Sequence, residues 1–169
     1  MEARWAEKIA LEERNEIIRQ NTANEKEADR NLKNAQDRRT MLEGLVSDAK
    51  QAVAQAEEDA AQAAKTGTKD LKPFDERVKA ARANLATVEE QLADQNIAVA
   101  VATENRKAIL QQGDNALTDN ETKLVELSEA TQRLIDATEK NAKAKEENAE
   151  KTKLQSSIMD IQSATAAKV

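Results

Sequence analysis

Two side chains on which most enzymes depend are missing from this 169-residue chain, which has no histidine and no cysteine. Without imidazole the usual general base and metal ligand are gone. Without thiols there is no disulfide, thiolate nucleophile or sulfur-held metal. Tyrosine is absent as well, and one tryptophan and one phenylalanine are the only aromatics. A globular core of this size normally fills its interior with several aromatic rings. Gly44, Gly67 and Gly113 are the only glycines, each isolated, so no Gly-rich loop exists to cradle a phosphate. No stretch approaches the ~20 apolar residues that span a bilayer. The first residues also lack the charged-then-apolar pattern of a secretion leader.

What the chain does have is charge and small helix formers. Charged residues make up 34% of it, the formal net charge is −6, and acids and bases alternate rather than segregate. Such mixing suits exposed helix faces with pairs three or four residues apart. No basic stripe with interleaved aromatics is present, so nucleic acid is not an expected partner. Low hydropathy with high charge also fits a disordered chain, but disorder predicts no periodicity.

Periodicity is the strongest signal. Fourteen positions spaced alternately three and four apart run from Ile18 to Ala63: Ile18, Asn21, Glu25, Ala28, Leu32, Ala35, Arg39, Leu42, Val46, Ala49, Val53, Ala56, Ala60 and Ala63. Eleven of them are Ala, Leu, Ile or Val, the heptad pattern of a helix that lies along other helices. A first helix is expected over about residues 2–65. Gly67 stands where a left-handed residue would close it, Asp70 offers a cap, and Pro73 falls in the first turn of the next helix.

A second seam follows: Val78, Ala81, Leu85, Val88, Leu92, Gln95, Val99, Ala102, Arg106 and Ile109. After it come Gly113, Asp114 and Asn115, then Thr118 with Glu121 three residues on, the spacing of a capping box. These signals predict a second break, giving helices over about 71–112 and 119–167. The fold class expected is therefore all-α, an elongated antiparallel three-helix coiled-coil bundle forming one domain over residues 1–169. The alternative is a two-helix hairpin that ignores Gly113 and carries one helix over residues 72–168. The third helix opens with Leu117, Leu124, Leu127, Leu134 and Ile135, but from Thr138 to Lys153 nothing is larger than alanine among its apolar residues. Residues 138–169 are expected to protrude as a solvated or frayed helix.

No catalytic, cofactor-binding or metal-ligating residue can be assigned. Glu57, Glu58 and Asp59, like Glu146 and Glu147, lie on Ala-rich or Lys-rich helix with no apolar pocket to raise a carboxyl pKa. Asp114, Asn115, Asp119 and Asn120 lack the spacing and terminal glutamate of a calcium loop and read as turn and capping chemistry. Candidate protein contacts are Trp5, because tryptophan concentrates binding energy, and Asn141, Asn148 and Gln155. Those three amides continue the Leu134 row at heptad spacing, where polar side chains can set register or oligomeric state. Polar residues inside the seams, Asn21, Glu25, Arg39, Gln95 and Arg106, are expected to pair across the bundle.

The lone Trp at the head of a long Ala/Lys/Glu/Gln helix, the Gly- and Pro-containing turn and the returning helix form a layout over about residues 1–135. With the stretches NLKNAQDRRTMLEGLVSDAKQAVAQAEEDAAQAAK and RVKAARANLATVEEQLADQ, it resembles the N-terminal coiled-coil region of the major translocator proteins of type III secretion systems. Receptor-binding hairpins of colicin-like bacteriocins and helical phage proteins look similar. The resemblance implies a place in a bacterial secretion or toxin-translocation assembly and export by a route that uses no leader. The chain departs from the translocator pattern in having no membrane-spanning segment.

The function expected is non-enzymatic: a coiled-coil module that binds a protein partner or itself, with no small-molecule substrate, no cofactor and no membrane contact. The rival expectation is a self-assembling scaffold, such as a phage or bacteriocin component. A membrane-surface helix would need a strongly amphipathic or basic face, and neither appears, although Leu154, Ile158 and Ile161 form a small apolar stripe near the end.

Overall fold

The computed structural model describes residues 2–167, with side chains from Arg4 onward. Two α-helices account for almost all of them, and no strand occurs among the described residues: α1 is Glu2–Lys65 and α2 is Lys72–Ala166. α1 has 64 residues and α2 has 95, and the two pack against each other.

The turn between them is built as its residues dictate. Gly67 has φ +75°, and the Thr68 N–H reaches the Ala63 carbonyl at 3.1 Å while the Gly67 N–H reaches that of Ala64 at 3.4 Å. This pair of reverse bonds satisfies carbonyls that the end of a helix leaves open, and it needs a residue tolerant of positive φ. Asp70 Oδ1 accepts from the Lys72 N–H at 3.1 Å, capping α2, and Pro73 sits in the first turn where its missing donor is harmless.

The chain divides into two compact units, one of Ile17–Ala116 and one of Met1–Glu16 with Leu117–Val169. In the first, twelve of the fourteen expected α1 seam positions and all ten on α2 are buried or half-buried. Ile18 and Glu25 are the exceptions, and Ile17 takes the place of Ile18. A straight helix drifts against a strict 3.5-residue repeat, so the inward position moves by one residue there. Ala28, Leu42, Val46, Ala49, Ala63 and Val99 form the buried core. Pairing is antiparallel: Glu57 meets Arg82, Ala35 meets Gln95, Asp29 meets Arg106 and Asn21 meets Gly113.

The other unit is thinner. Among its described residues Ala10 on α1 and Asn120 on α2 are buried, with Ala6, Glu7, Ile9 and Arg14 on α1 and Leu117, Leu124, Leu127 and Thr131 on α2 half-buried. From Gln132 to Ala167 every described residue is exposed.

The expected break at Gly113 and the third helix do not form; α2 is continuous from Lys72 to Ala166. One interior glycine costs a helix only ~1 kcal/mol, and Gly113 is buried four residues after Ile109, inside the seam. The presumed capping residues have other partners. Asn120 is buried against α1, Glu121 Oε1 accepts from Arg14 Nη2 at 3.2 Å, and Asn115 Oδ1 accepts from Gln111 one turn back at 3.1 Å. They belong to a helix surface and its seam, so turn chemistry is the wrong reading of Asp114, Asn115, Asp119 and Asn120.

Candidate protein-interaction surface

Three side-chain amides reach across from one helix to a backbone carbonyl of the other. Asn21 Nδ2 donates to Gly113 O at 3.1 Å and Gln95 Nε2 to Ala35 O at 3.0 Å, both in the Ile17–Ala116 unit. Asn120 Nδ2 donates to Ala10 O at 3.2 Å in the other. A helical carbonyl already accepts from the N–H four residues on, so the amide uses its second lone pair. Each contact needs a small residue opposite, here glycine or alanine, so that the backbone comes within reach. Such bonds specify which turn faces which, since a slip of one residue would leave the amide unpaired.

Ion pairs join the helices alongside these bonds, one of them from the seam position Arg106. Arg106 Nε donates to Asp29 Oδ1, and that hydrogen bond and charge, with Glu25 adding to them, hold the guanidinium above its ordinary pKa. Lys123 Nζ lies 2.7 Å from Glu13 and Arg82 pairs with Glu57. Of the expected polar seam residues, Asn21, Gln95 and Arg106 thus pair between helices. Arg39 Nε stands 3.5 Å from Glu43 on its own helix, too poorly aligned for a hydrogen bond. Glu25 is exposed beside Arg106.

The candidate contact residues are all exposed. Trp5 is 68% exposed on α1. Asn141, Asn148 and Gln155 are exposed on α2. The structure does not bring Trp5 and the amides into one cluster.

Apolar side chains divide unevenly between the units. Of the buried apolar residues among those described, Ala10 alone belongs to the unit of Met1–Glu16 and Leu117–Val169. That same unit leaves Trp5, Leu11, Val125, Leu134, Ile135, Leu154, Ile158, Met159 and Ile161 exposed. Leu154, Ile158 and Ile161 follow at four and three residues and so share one face of α2. In the Ile17–Ala116 unit a shallow groove of about 620 Å³ runs between the helices, lined by Asn24, Asn31, Asn105 and Gln112 over a floor of Ala28, Ala102 and Ile109. Its one titratable lining residue is Glu27, which leaves it without an acid–base pair or a nucleophile. Among the described residues no group of three or more acidic side chains could hold a metal ion, and no helix is long and apolar enough to cross a membrane.

The sequence reading missed Gly113 and Asn120 as contact residues. The signal was there: stepping four residues from Ile109 reaches Gly113, and seven more reach Asn120, which begins the row Leu127, Leu134, Asn141, Asn148, Gln155. No family model, no curated protein and no solved structure matches the chain.

Proposed function

We propose that this protein is a non-enzymatic helical module that works by binding another protein through the unit formed by residues up to Glu16 and from Leu117 on. One observation carries the reading: among its described residues that unit buries one alanine and one asparagine and leaves nine large apolar side chains in water. Scattered apolar residues are ordinary on any surface. A helix of more than thirty residues with no neighbour is not, because an isolated helix is marginal in water and takes most of its stability from packing. The face carrying Leu154, Ile158 and Ile161 fits a helix or groove that supplies apolar residues at the same spacing. The resemblance to translocator coiled coils supports delivery assemblies as the setting.

A self-assembling role is the second reading, favoured by the heptad row Asn141, Asn148, Gln155 on the same unpartnered helix. Sedimentation equilibrium separates the two: a defined oligomer favours self-assembly, and a monomer at all concentrations removes it. The binding reading is tested by capture from the native source on the full chain and, in parallel, on the triple variant Leu154→Glu, Ile158→Glu, Ile161→Glu with unchanged helix content. A partner held by the first and lost by the second supports it. Equal recovery on both refutes it.

A further inference from the structure

The pairing of α1 with α2 differs in kind between the two units. In Ile17–Ala116 the seam is closed by Leu42, Val46 and Val99 with alanines between them. Over residues 4–16 the only buried apolar side chain is Ala10, and it packs where Asn120 is buried opposite. Asn120 is 95% buried, and its Nδ2 must face the Ala10 carbonyl because only the nitrogen can donate. Its Oδ1 is then enclosed with no donor. One turn on, Arg14 Nε is enclosed with no acceptor although its Nη2 reaches Glu121; the longer seam also holds one such atom, Arg39 Nε, but sets buried Leu42, Val46 and Ala49 against it. A buried polar atom left unpaired favours the open state, in which water satisfies it. The ion pairs Arg14 with Glu121 and Lys123 with Glu13 are more than 40% exposed on both sides and add little against that.

We propose that residues 4–16 of α1 form a releasable cover over α2. They detach together while residues 28–63 stay paired, and release hands Asn120 Oδ1 and Arg14 Nε to water. It also uncovers Leu117, Leu124 and Leu127, which lengthen the already exposed Leu134 and Ile135 patch into a continuous apolar row. The device deepens the binding reading above, since the uncovered row enlarges the surface offered to a partner. It is nonetheless a property of the free protein and can be tested without one.

Hydrogen exchange followed by mass spectrometry on the full chain measures it. Amides of residues 4–16 and 117–131 should show closely similar protection, at least tenfold lower than that of residues 28–63 and 78–109. Equal protection in the two sets would overturn the proposal, as would protection of residues 4–16 that falls one residue at a time from the N-terminus. The variant Asn120→Leu supplies the second arm. Replacing the half-satisfied amide with an apolar side chain should raise protection of residues 4–16 severalfold and leave residues 28–63 unchanged. No change, or an equal change in both, counts against the cover. Failure here would leave the capture experiment above standing, because the face of Leu154, Ile158 and Ile161 is exposed whether or not α1 lifts.

Discussion

Asn21 and Gly113 meet across the two helices: the Asn21 amide donates to the Gly113 carbonyl at 3.1 Å, and a β-carbon added at Gly113 would stand 2.9 Å from that same nitrogen. The glycine is there for access and not to end a helix. Gly113→Ala gains helix propensity worth ~1 kcal/mol but pushes the amide off a hydrogen bond worth ~0.5–1.5 kcal/mol, so stability should hardly change. With Asn21→Ala already in place the clash and the bond are both gone. Gly113→Ala should then stabilise by about 1 kcal/mol. A four-variant urea cycle checks this, and equal effects of Gly113→Ala in both backgrounds would show that the two residues do not interact.

Gly44 is the contrasting case. Nothing lies within 4 Å of a β-carbon built on it, and it sits in the middle of α1 on an exposed face. Gly44→Ala therefore removes a backbone-entropy cost with no steric penalty and should raise stability by roughly 0.5–1 kcal/mol. A lowered urea midpoint would mean that the open space is occupied by something in solution.

Much of this architecture was legible in the residues, and the parts that were not share one cause. Ile18 to Ala63 and Val78 to Ile109 follow a strict repeat, and burial follows it nearly position by position. The turn was equally readable, since Gly67, Asp70 and Pro73 each have one stereochemical use at a helix junction. Gly113, Thr118 and Glu121 were ambiguous because glycine, threonine and glutamate serve both to end a helix and to line a close contact. Local sequence does not decide between those uses; the position in the heptad does, and Gly113 and Asn120 keep it. Arg14, Glu121, Glu13 and Lys123 could not be paired from sequence, as exposed partners about 110 residues apart leave no periodic trace.

Core and overhang should respond differently to truncation. Leu42 is 5% exposed and sits mid-seam, so Leu42→Ala should cost at least ~2 kcal/mol, the lower end for a buried leucine because a two-helix seam can partly collapse. Ile158→Ala removes a side chain that already lies in water and should change stability by less than about 0.5 kcal/mol. Thermal unfolding of both variants checks the contrast. A large loss for Ile158→Ala would show that this residue is covered in solution.

Arg106 allows a statement about pH. Its guanidinium is held above its ordinary pKa by Asp29, so any stabilisation from that shift is complete below the unfolded-state value and is lost only as pH rises through the higher folded-state value. Both lie far above neutral. Arg106→Gln should therefore lower the urea midpoint by the same amount at pH 6 and at pH 9. A difference between those two conditions would mean that another titrating group shares the contact.

The helix after Leu134 has a different kind of stability from the rest. Its backbone bonds are local, its side chains from Thr138 to Lys153 are alanine or polar, and nothing packs on it. Such a segment unfolds gradually, since each residue gains little beyond its own hydrogen bond and the ends fray first. Circular dichroism of the full chain should show a broad early loss of helix on warming, followed by a cooperative transition from the paired regions. Deleting residues 138–169 should abolish the early slope and leave the midpoint of the main transition where it was. If the midpoint instead drops by several degrees, the overhang is packed against something in solution, and the unpartnered helix on which the binding proposal rests would have to be given up.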